Sequence, residues 1–200
     1  MALEKQILND AMQTFRIEAE SLAETAKVLD PEAFSRAVEV LSGAPRIAAA
    51  GCGHTGIACR HFAHLMCCIE RPARFLSPAE AVHGGMGFLQ PGDVMLLASR
   101  GGKTDELMPI ADICRRKGIT VIGVTENTAS PLAEKSDIVL AMKVTRECDP
   151  YNCQGTTSFA VTCAIFDALQ TAVLEYTGFC NEEFAVIHPH GAVGKRLNRQ

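Results

Sequence analysis

Apolar residues at Leu8, Met12, Phe15, Ala19, Leu22, Ala26 and Leu29 recur at a 4-3-4-3-4-3 spacing, which keeps one stripe on one helix face. This predicts a long amphipathic helix across the first thirty residues. Asp30 offers a side-chain oxygen as N-cap and Pro31 occupies the first helical position, so a second helix is expected from there to about Leu41. The heptad-like stripe suits either the core of the domain or a seam against a partner subunit. From Arg46 the pattern changes to short apolar runs alternating with helical segments, the signature of parallel strands joined by crossover helices. Strands are expected at 47–50, 73–76, 94–98, 120–124 and 138–141, and helices at 55–69, 104–117, 130–135 and 157–176. The strands are nearly all apolar, as they are when helices cover both faces of a sheet. A doubly wound α/β fold follows, with ligands expected at the carboxyl ends of the strands.

Composition narrows the class. Two hundred residues, 48% hydrophobic and 21% charged, describe one ordinary globular domain, here 1–200 with a helical part at 1–44 and an α/β core at 46–198. A chain of that length needs neither metal nor disulfide to hold a core. The net charge is −4; residues 1–45 hold four basic and eight acidic side chains, and the remainder fifteen of each. That argues against a nucleic-acid-binding arm. No apolar run long enough to span a bilayer is apparent, and MALEKQILND lacks the basic leader and apolar core of a signal peptide, so a cytoplasmic location is expected. The nine cysteines include no CxxC pair and read as reduced, mostly packed thiols.

Two strand ends carry candidate chemistry. The first strand exits into GCGHTG, Gly51 to Gly56, and then a helix. This fits the dinucleotide fingerprint, but its second half is missing: the second strand ends at Ser77 where a ribose-binding acid belongs, and Glu70 precedes that strand. The third strand exits into SRGGKTDE, Ser99 to Glu106, where amides, the Ser99 and Thr104 hydroxyls and the Lys103 ammonium could hold one phosphate dianion. A nucleotide-binding Walker loop would need a glycine at position 97, which is Leu97, so triphosphate hydrolysis is not expected. Beyond the fifth strand stand Glu147 in TRECDP and the hydroxyls of GTTS, Gly155 to Ser158. His83 lies in AEAVHGGMG, and His188 and His190 lie in HPHGAVGKRL, glycine-flanked loops that offer a histidine little core. His61 and His64 read as packed or solvated side chains without an acidic or cysteine partner to complete a metal site.

AEAVHGGMG, the TRECDP to GTTS segment, FDAL at 166–169 and EEFAVIHPHGAVGKRL together resemble the sugar isomerase domain of the arabinose-5-phosphate isomerase family. The family patterns are GEAxHGDLG, an acid in KEACP followed by PTSST, GDAL, and DFAxxHPGGxLGRxL. The similarity covers about residues 46–198 in the right order. The resemblance implies a flavodoxin-like, three-layer α/β/α fold with a five-stranded parallel sheet, assembled as a tetramer or dimer with sites near subunit interfaces. It implies interconversion of an aldose phosphate and a ketose phosphate without an organic cofactor; from the residues themselves no metal, nucleic-acid or membrane partner is expected either. Carried over by position, the catalytic residues are Glu147, His188 and His83. The substrate contacts are Gly53, His54, Ser99, Gly101, Gly102, Lys103, Thr104, Thr156, Thr157 and Ser158.

The chemistry agrees with that assignment: aldose–ketose exchange needs a base that moves a proton between adjacent carbons and an acid that polarises the carbonyl oxygen. Glu147 is the candidate base, provided burial raises its pKa, and His188 or His83 would open the ring and stabilise the enediolate. The chain departs from the family in three ways. His54 stands where GMGKSG has lysine, replacing a fixed cation by a group whose charge depends on pH. Gly101 replaces the second hydroxyl of SxSGxT, and Lys103 adds a charge. Many members continue into nucleotide-sensing repeats, whereas this sequence ends at Gln200, and control through such repeats is not expected of it. The competing reading is a sugar-phosphate-binding regulator that does not turn its ligand over.

Overall fold

Alternation along the strands divides the core into two halves. Ile47 and Ala49 of β1 (Ile47–Ala50) and Val94, Leu96 and Ala98 of β3 (Val94–Ala98) face one apolar cluster. Ala48, Ala50, Met95 and Leu97 face the other, so the sheet is buried on both sides. The computed structural model describes residues 2–198. Met1, Arg199 and Gln200, the ends of the expected 1–200 domain, lie outside the described residues.

The chain begins with α1 (Ala2–Val28) and α2 (Pro31–Gly43) and passes through β1 into α3 (Gly53–Cys67), β2 (Ala73–Phe75) and the short α4 (Pro78–Ala81). After β3 come α5 (Met108–Lys117), β4 (Thr120–Thr125), α6 (Pro131–Lys135) and β5 (Ile138–Ala141). The long α7 (Thr157–Thr177) precedes α8 (Asn181–Ile187) and α9 (Gly191–Leu197), two short helices that periodicity did not reveal. The five strands are parallel, in the order β2-β1-β3-β4-β5, with Ile47 paired to Val94 and Ala73 on its two sides. The chain steps from β1 outward to β2 and then crosses to β3. The carboxyl ends of β1 and β3 therefore flank the topological switch point, where doubly wound sheets bind ligands.

Local chemistry sets the helix starts as expected. Asp30 Oδ1 accepts from the Ala33 amide at 2.7 Å, with Pro31 behind it. On one face α7 packs against α1, α2 and α3, and Phe62 and Phe166, both fully buried, meet with ring centroids 4.9 Å apart. That contact corrects the reading of apolar runs: Thr157–Thr177 is, by length and composition, long and apolar enough to cross a membrane. Its hydropathy is that of a central core helix, with Val161, Ile165, Phe166, Leu169 and Val173 buried and the charged Asp167 exposed.

The stripe on α1 also departs from one of its two expected roles. Leu8, Met12 and Phe15 are 62%, 45% and 66% exposed, so this part of the stripe does not join the core of this chain, although Leu29 at its end packs against it. The helix docks through Ile17, Ser21 and Thr25 instead. Ser21 Oγ accepts from the Thr145 amide at 3.1 Å, and Thr25 Oγ1 both accepts from the Lys143 amide and donates to its carbonyl at 2.9 Å. Two buried hydroxyls thus bind the open backbone edge after β5, and that polar match decides which side of α1 faces inward.

All nine cysteines are free thiols. Cys59 and Cys114 are buried, four more are half-buried, and Cys67, Cys153 and Cys180 are exposed. Burial pushes the Cys114 thiol up to about 12 and the Cys163 thiol up to about 11, keeping both neutral.

Candidate active site

Ser99 follows β3 directly, and its hydroxyl organises the turn through Thr104. Ser99 Oγ lies 2.8 Å from Thr104 Oγ1 and accepts from the Gly102 amide at 3.1 Å. Gly102 has φ +64°, and a Cβ there would stand 2.0 Å from Ser130 Oγ, so only glycine fits. The Leu132 amide donates to the Gly102 carbonyl at 3.1 Å, tying the turn to the start of α6. Gly101 and Lys103 remain exposed on its outer side.

Gly51 to Gly56 turns beside it from β1 into α3. A Cβ on Gly56 would stand 2.6 Å from the Gly51 carbonyl oxygen, which fixes how tightly this loop closes. Gly53 and His54 are exposed at its crest. A Cβ on Gly155 would come 3.0 Å from His54 Nδ1, and the His54 ring meets Phe159 edge-on with centroids 6.5 Å apart. His54 is therefore a neighbour of the segment that opens α7. A cavity of about 400 Å³ adjoins this loop, lined in part by Gly53, Arg60, Phe75, Ser77 and Glu106, a volume suited to a small ligand.

Glu147 closes the arrangement from the β5 side and is only 2% exposed. Its Oε1 accepts from Arg100 Nη1 at 2.8 Å, while its Oε2 accepts from the Ser158 amide at 3.1 Å and from Thr156 Oγ1 at 3.3 Å. Its own amide donates to Asn152 Oδ1 at 2.7 Å. Arg100 also donates from Nε to Glu126 Oε2 at 2.9 Å, and Glu126 Oε1 accepts from the Val144 amide at 3.2 Å. Burial pushes the Glu147 carboxyl up, but the Ser158 donors, the Arg100 guanidinium and the Thr156 hydroxyl outweigh it and hold the group below the usual carboxylate range. The expectation of a raised pKa is thereby corrected: burial is accompanied by enough donors to reverse its effect.

Sequence reasoning missed Arg100 and Glu126. The signal was an arginine set between Ser99 and Gly101, and an acid one residue past β4, both at strand ends. Among the expected contacts, Thr156 and Ser158 face Glu147. Thr157 is fully buried, with its hydroxyl 3.2 Å from Cys148 Sγ.

The histidines are dispersed. His83 sits in an exposed turn after α4, and among the described residues its side chain makes no hydrogen bond. His188 closes α8, with its ring stacked on Phe184 at 3.8 Å and Nε2 3.8 Å from Cys68 Sγ. Cys68 follows the carboxyl end of α3, whereas Gly53 and His54 stand at its amino end, about 22 Å away for fifteen residues of helix. One chain therefore does not bring His188 to Glu147. His190 is exposed in the turn that follows. His61 and His64 each have a partner: His61 Nε2 lies 3.1 Å from Asp167 Oδ1, and His64 Nε2 lies 3.6 Å from Cys68 Sγ. Among the described residues, no group of three or more His, Cys, Asp or Glu is placed to hold a metal ion.

Residues 40–172, which include β1 to β5 and both strand-end loops, match the family model described as the SIS domain. The chain belongs to the SIS domain family. This SIS domain protein is 35% identical over 198 residues to arabinose 5-phosphate isomerase KdsD of Pseudomonas aeruginosa, an alignment covering 98% of this chain and 60% of that protein. It is 31% identical over 196 residues to arabinose 5-phosphate isomerase KpsF of Escherichia coli, covering 98% of this chain and 62% of that one. The SIS domain protein thus spans about 60% of the length of these curated relatives. Among solved structures, it superposes with a TM-score of 0.90 on a Listeria monocytogenes protein assigned as a sugar-phosphate isomerase, at 40% identity, covering 93% of this chain and 98% of that one. An Escherichia coli CFT073 protein in complex with arabinose 5-phosphate superposes with a TM-score of 0.83 at 25% identity, covering 92% of this chain and 98% of that one.

Proposed function

We propose that this SIS domain protein is a phosphosugar aldose–ketose isomerase that interconverts a ketopentose 5-phosphate and an aldopentose 5-phosphate. The observation that carries the reading is Glu147, a buried carboxylate beside the Ser99–Thr104 turn at the switch point, in a chain similar along nearly its whole length to arabinose 5-phosphate isomerases. The turn supplies exposed amides, the Ser99 and Thr104 hydroxyls and the Lys103 ammonium for a phosphate dianion. Gly53 and His54, with Thr156 and Ser158, line the approach to the sugar. Glu147 then takes the proton from carbon 2 of the aldose and returns it to carbon 1, while a histidine gives a proton to the carbonyl oxygen on carbon 1 and recovers one from the hydroxyl on carbon 2, which becomes the ketose carbonyl. Proton count and charge balance across the step, and it calls on no organic cofactor or metal.

His188 is the candidate for that donor, with His83 the alternative. Because His188 lies at the far end of α3 from Glu147, the reading includes a homo-oligomer, tetramer or dimer, in which a second copy brings its His188 to the site. The exposed apolar stripe of α1, Leu8, Met12 and Phe15, supports association of copies. The single-domain boundaries 1–44 and 46–198 and a cytoplasmic location complete the proposal, the latter supported by nine free thiols.

One observation favours the regulator reading: Glu147 is ion-paired to Arg100 and so is a weaker base than a raised carboxyl would be. Proton NMR of the protein with ribulose 5-phosphate, arabinose 5-phosphate, ribose 5-phosphate and several hexose phosphates separates the two. New product signals are expected with a pentose 5-phosphate. Saturable binding without any product would make the protein a regulator.

A further inference from the structure

Glu147 is approached from every element around it, and Arg100 is the charged side chain that touches its carboxylate. Ser158 and Thr156 reach it from the start of α7, and Asn152 takes its amide. Arg146 Nε donates to its backbone carbonyl at 3.0 Å, Lys143 stands 3.3 Å from Glu126, and Cys148 Sγ lies 3.9 Å from Glu18 of α1. Among the described residues, Arg100 is the side chain that joins this cluster to the Ser99–Thr104 turn, because it belongs to that turn.

Its geometry is that of a shared fork. Nη1 holds Glu147 and Nε holds Glu126, at 2.8 and 2.9 Å. The backbone beneath is fixed, since the Arg100 carbonyl accepts from Thr125 Oγ1 at 3.0 Å and from the Glu126 amide at 2.9 Å. The side chain is 33% exposed, so the guanidinium has room to change partner while the backbone stays in place. A guanidinium prefers a phosphate dianion, which offers more charge and more acceptor oxygens than a single carboxylate oxygen. A carboxylate tied to a guanidinium is, conversely, a poor acceptor for a proton from carbon.

We infer that Arg100 is a positioning residue that trades partners: it restrains Glu147 until a phosphate dianion enters the Ser99–Thr104 turn, then turns Nη1 to the phosphate while Glu126 retains Nε. This rests on the assignment of that turn to phosphate and of Glu147 to proton transfer. It adds a coupling between them: the part of the ligand that does not react frees the group that does. Only hydrogen bonds change hands, and no proton is gained or lost. The coupling is reciprocal by linkage, so removing the negative charge of Glu147 must strengthen phosphate binding, and must do so through Arg100.

Calorimetric titration of the full chain with inorganic phosphate tests this without any turnover. The proteins are the wild type, Glu147→Gln, Arg100→Gln and the double variant. Glu147→Gln is expected to tighten phosphate by about 5-fold or more, the lower end of usual coupling between sites. Arg100→Gln is expected to weaken it, and adding Glu147→Gln in that background should change it by less than about 2-fold. Arg100→Lys, which keeps the charge but not the fork, should recover part of the coupling. An equal gain in both backgrounds would mean a general field effect and would overturn the inference. No gain from Glu147→Gln, or no phosphate binding by any of these proteins, would overturn it as well. Failure of the isomerase reading would appear separately, as absence of sugar-phosphate turnover by the wild type.

Discussion

The two ends of α3 hold the two halves of the candidate chemistry, and they are built differently. At the amino end, hydrogen bonds of 2.8 to 2.9 Å join Ser99 to Thr104 and Arg100 to Glu126 and Glu147, in the segments that follow the carboxyl ends of β3, β4 and β5. At the carboxyl end, His188 is held by a stacked Phe184 and a thiol at 3.8 Å, on an α8 that buries none of its residues. A base needs a fixed position within a fraction of an ångström, and packed strand ends supply it. A histidine carried on an exposed segment acquires such a position only when another body covers that segment. Under the proposed function, the contrast means that one chain completes the phosphate and base half of the site and leaves the acid half to a second copy.

The largest effect expected from breaking this arrangement is on the amino end. Glu147→Gln should lower kcat by about 10²- to 10⁴-fold, the usual contribution of a positioned base, without weakening sugar-phosphate binding. Near-wild-type turnover would place the base elsewhere. His188→Ala should cost about 10²-fold in kcat. If copies share sites, mixing the two variants under conditions that exchange subunits should restore turnover that neither shows alone, and persistent inactivity of the mixture would return His188 to its own chain.

Smaller effects sharpen the comparison. Gly102→Ala forces a Cβ against Ser130 at positive φ and should destabilise the fold by about 1 to 3 kcal/mol, read as a lower Tm. Thr104→Val removes the hydroxyl partner of Ser99 and should weaken phosphate binding by about 0.5 to 1.5 kcal/mol; an unchanged KM would remove it from the turn's function. Acid provides the mildest probe. Glu126 and Glu147 are both held below their ordinary 4.5 in the fold, so the unfolded chain takes up their protons first as pH falls. The stability they contribute is complete above about pH 5 and is lost as pH falls through their depressed folded values. The Tm of Arg100→Gln should therefore fall less steeply with acid than that of the wild type, and parallel curves would deny Arg100 its hold on both carboxylates.

Much of the frame was legible because strands and turns write themselves locally. The five apolar runs, the Asp30-Pro31 cap and the glycine-rich exits after β1 and β3 each follow from residues adjacent in the chain. What escaped depends on partners distant in sequence. Arg100 and Glu147 are 47 positions apart, and nothing in either segment discloses that they meet or that donors reverse the effect of burial. The buried side of α1 escaped for a related reason: Ser21 and Thr25 face inward because the backbone at Lys143 and Thr145 has unpaired groups to satisfy, and apolar periodicity carries no such information. The motif at 182–197 identified His188 as a candidate, and only the fold shows it at the wrong end of α3 for its own Glu147.

The central claim, that Glu147 moves a proton between the first two carbons of a pentose 5-phosphate, is tested most directly by proton NMR of arabinose 5-phosphate in deuterated buffer with the wild type and with Glu147→Gln. With the wild type, deuterium is expected at carbon 1 of the ketose as it appears and, through the reverse step, at carbon 2 of the aldose, with a rate lower by about 10²-fold or more for the variant. Equal exchange by both proteins, or saturable binding by the wild type with no exchange at all, would contradict it.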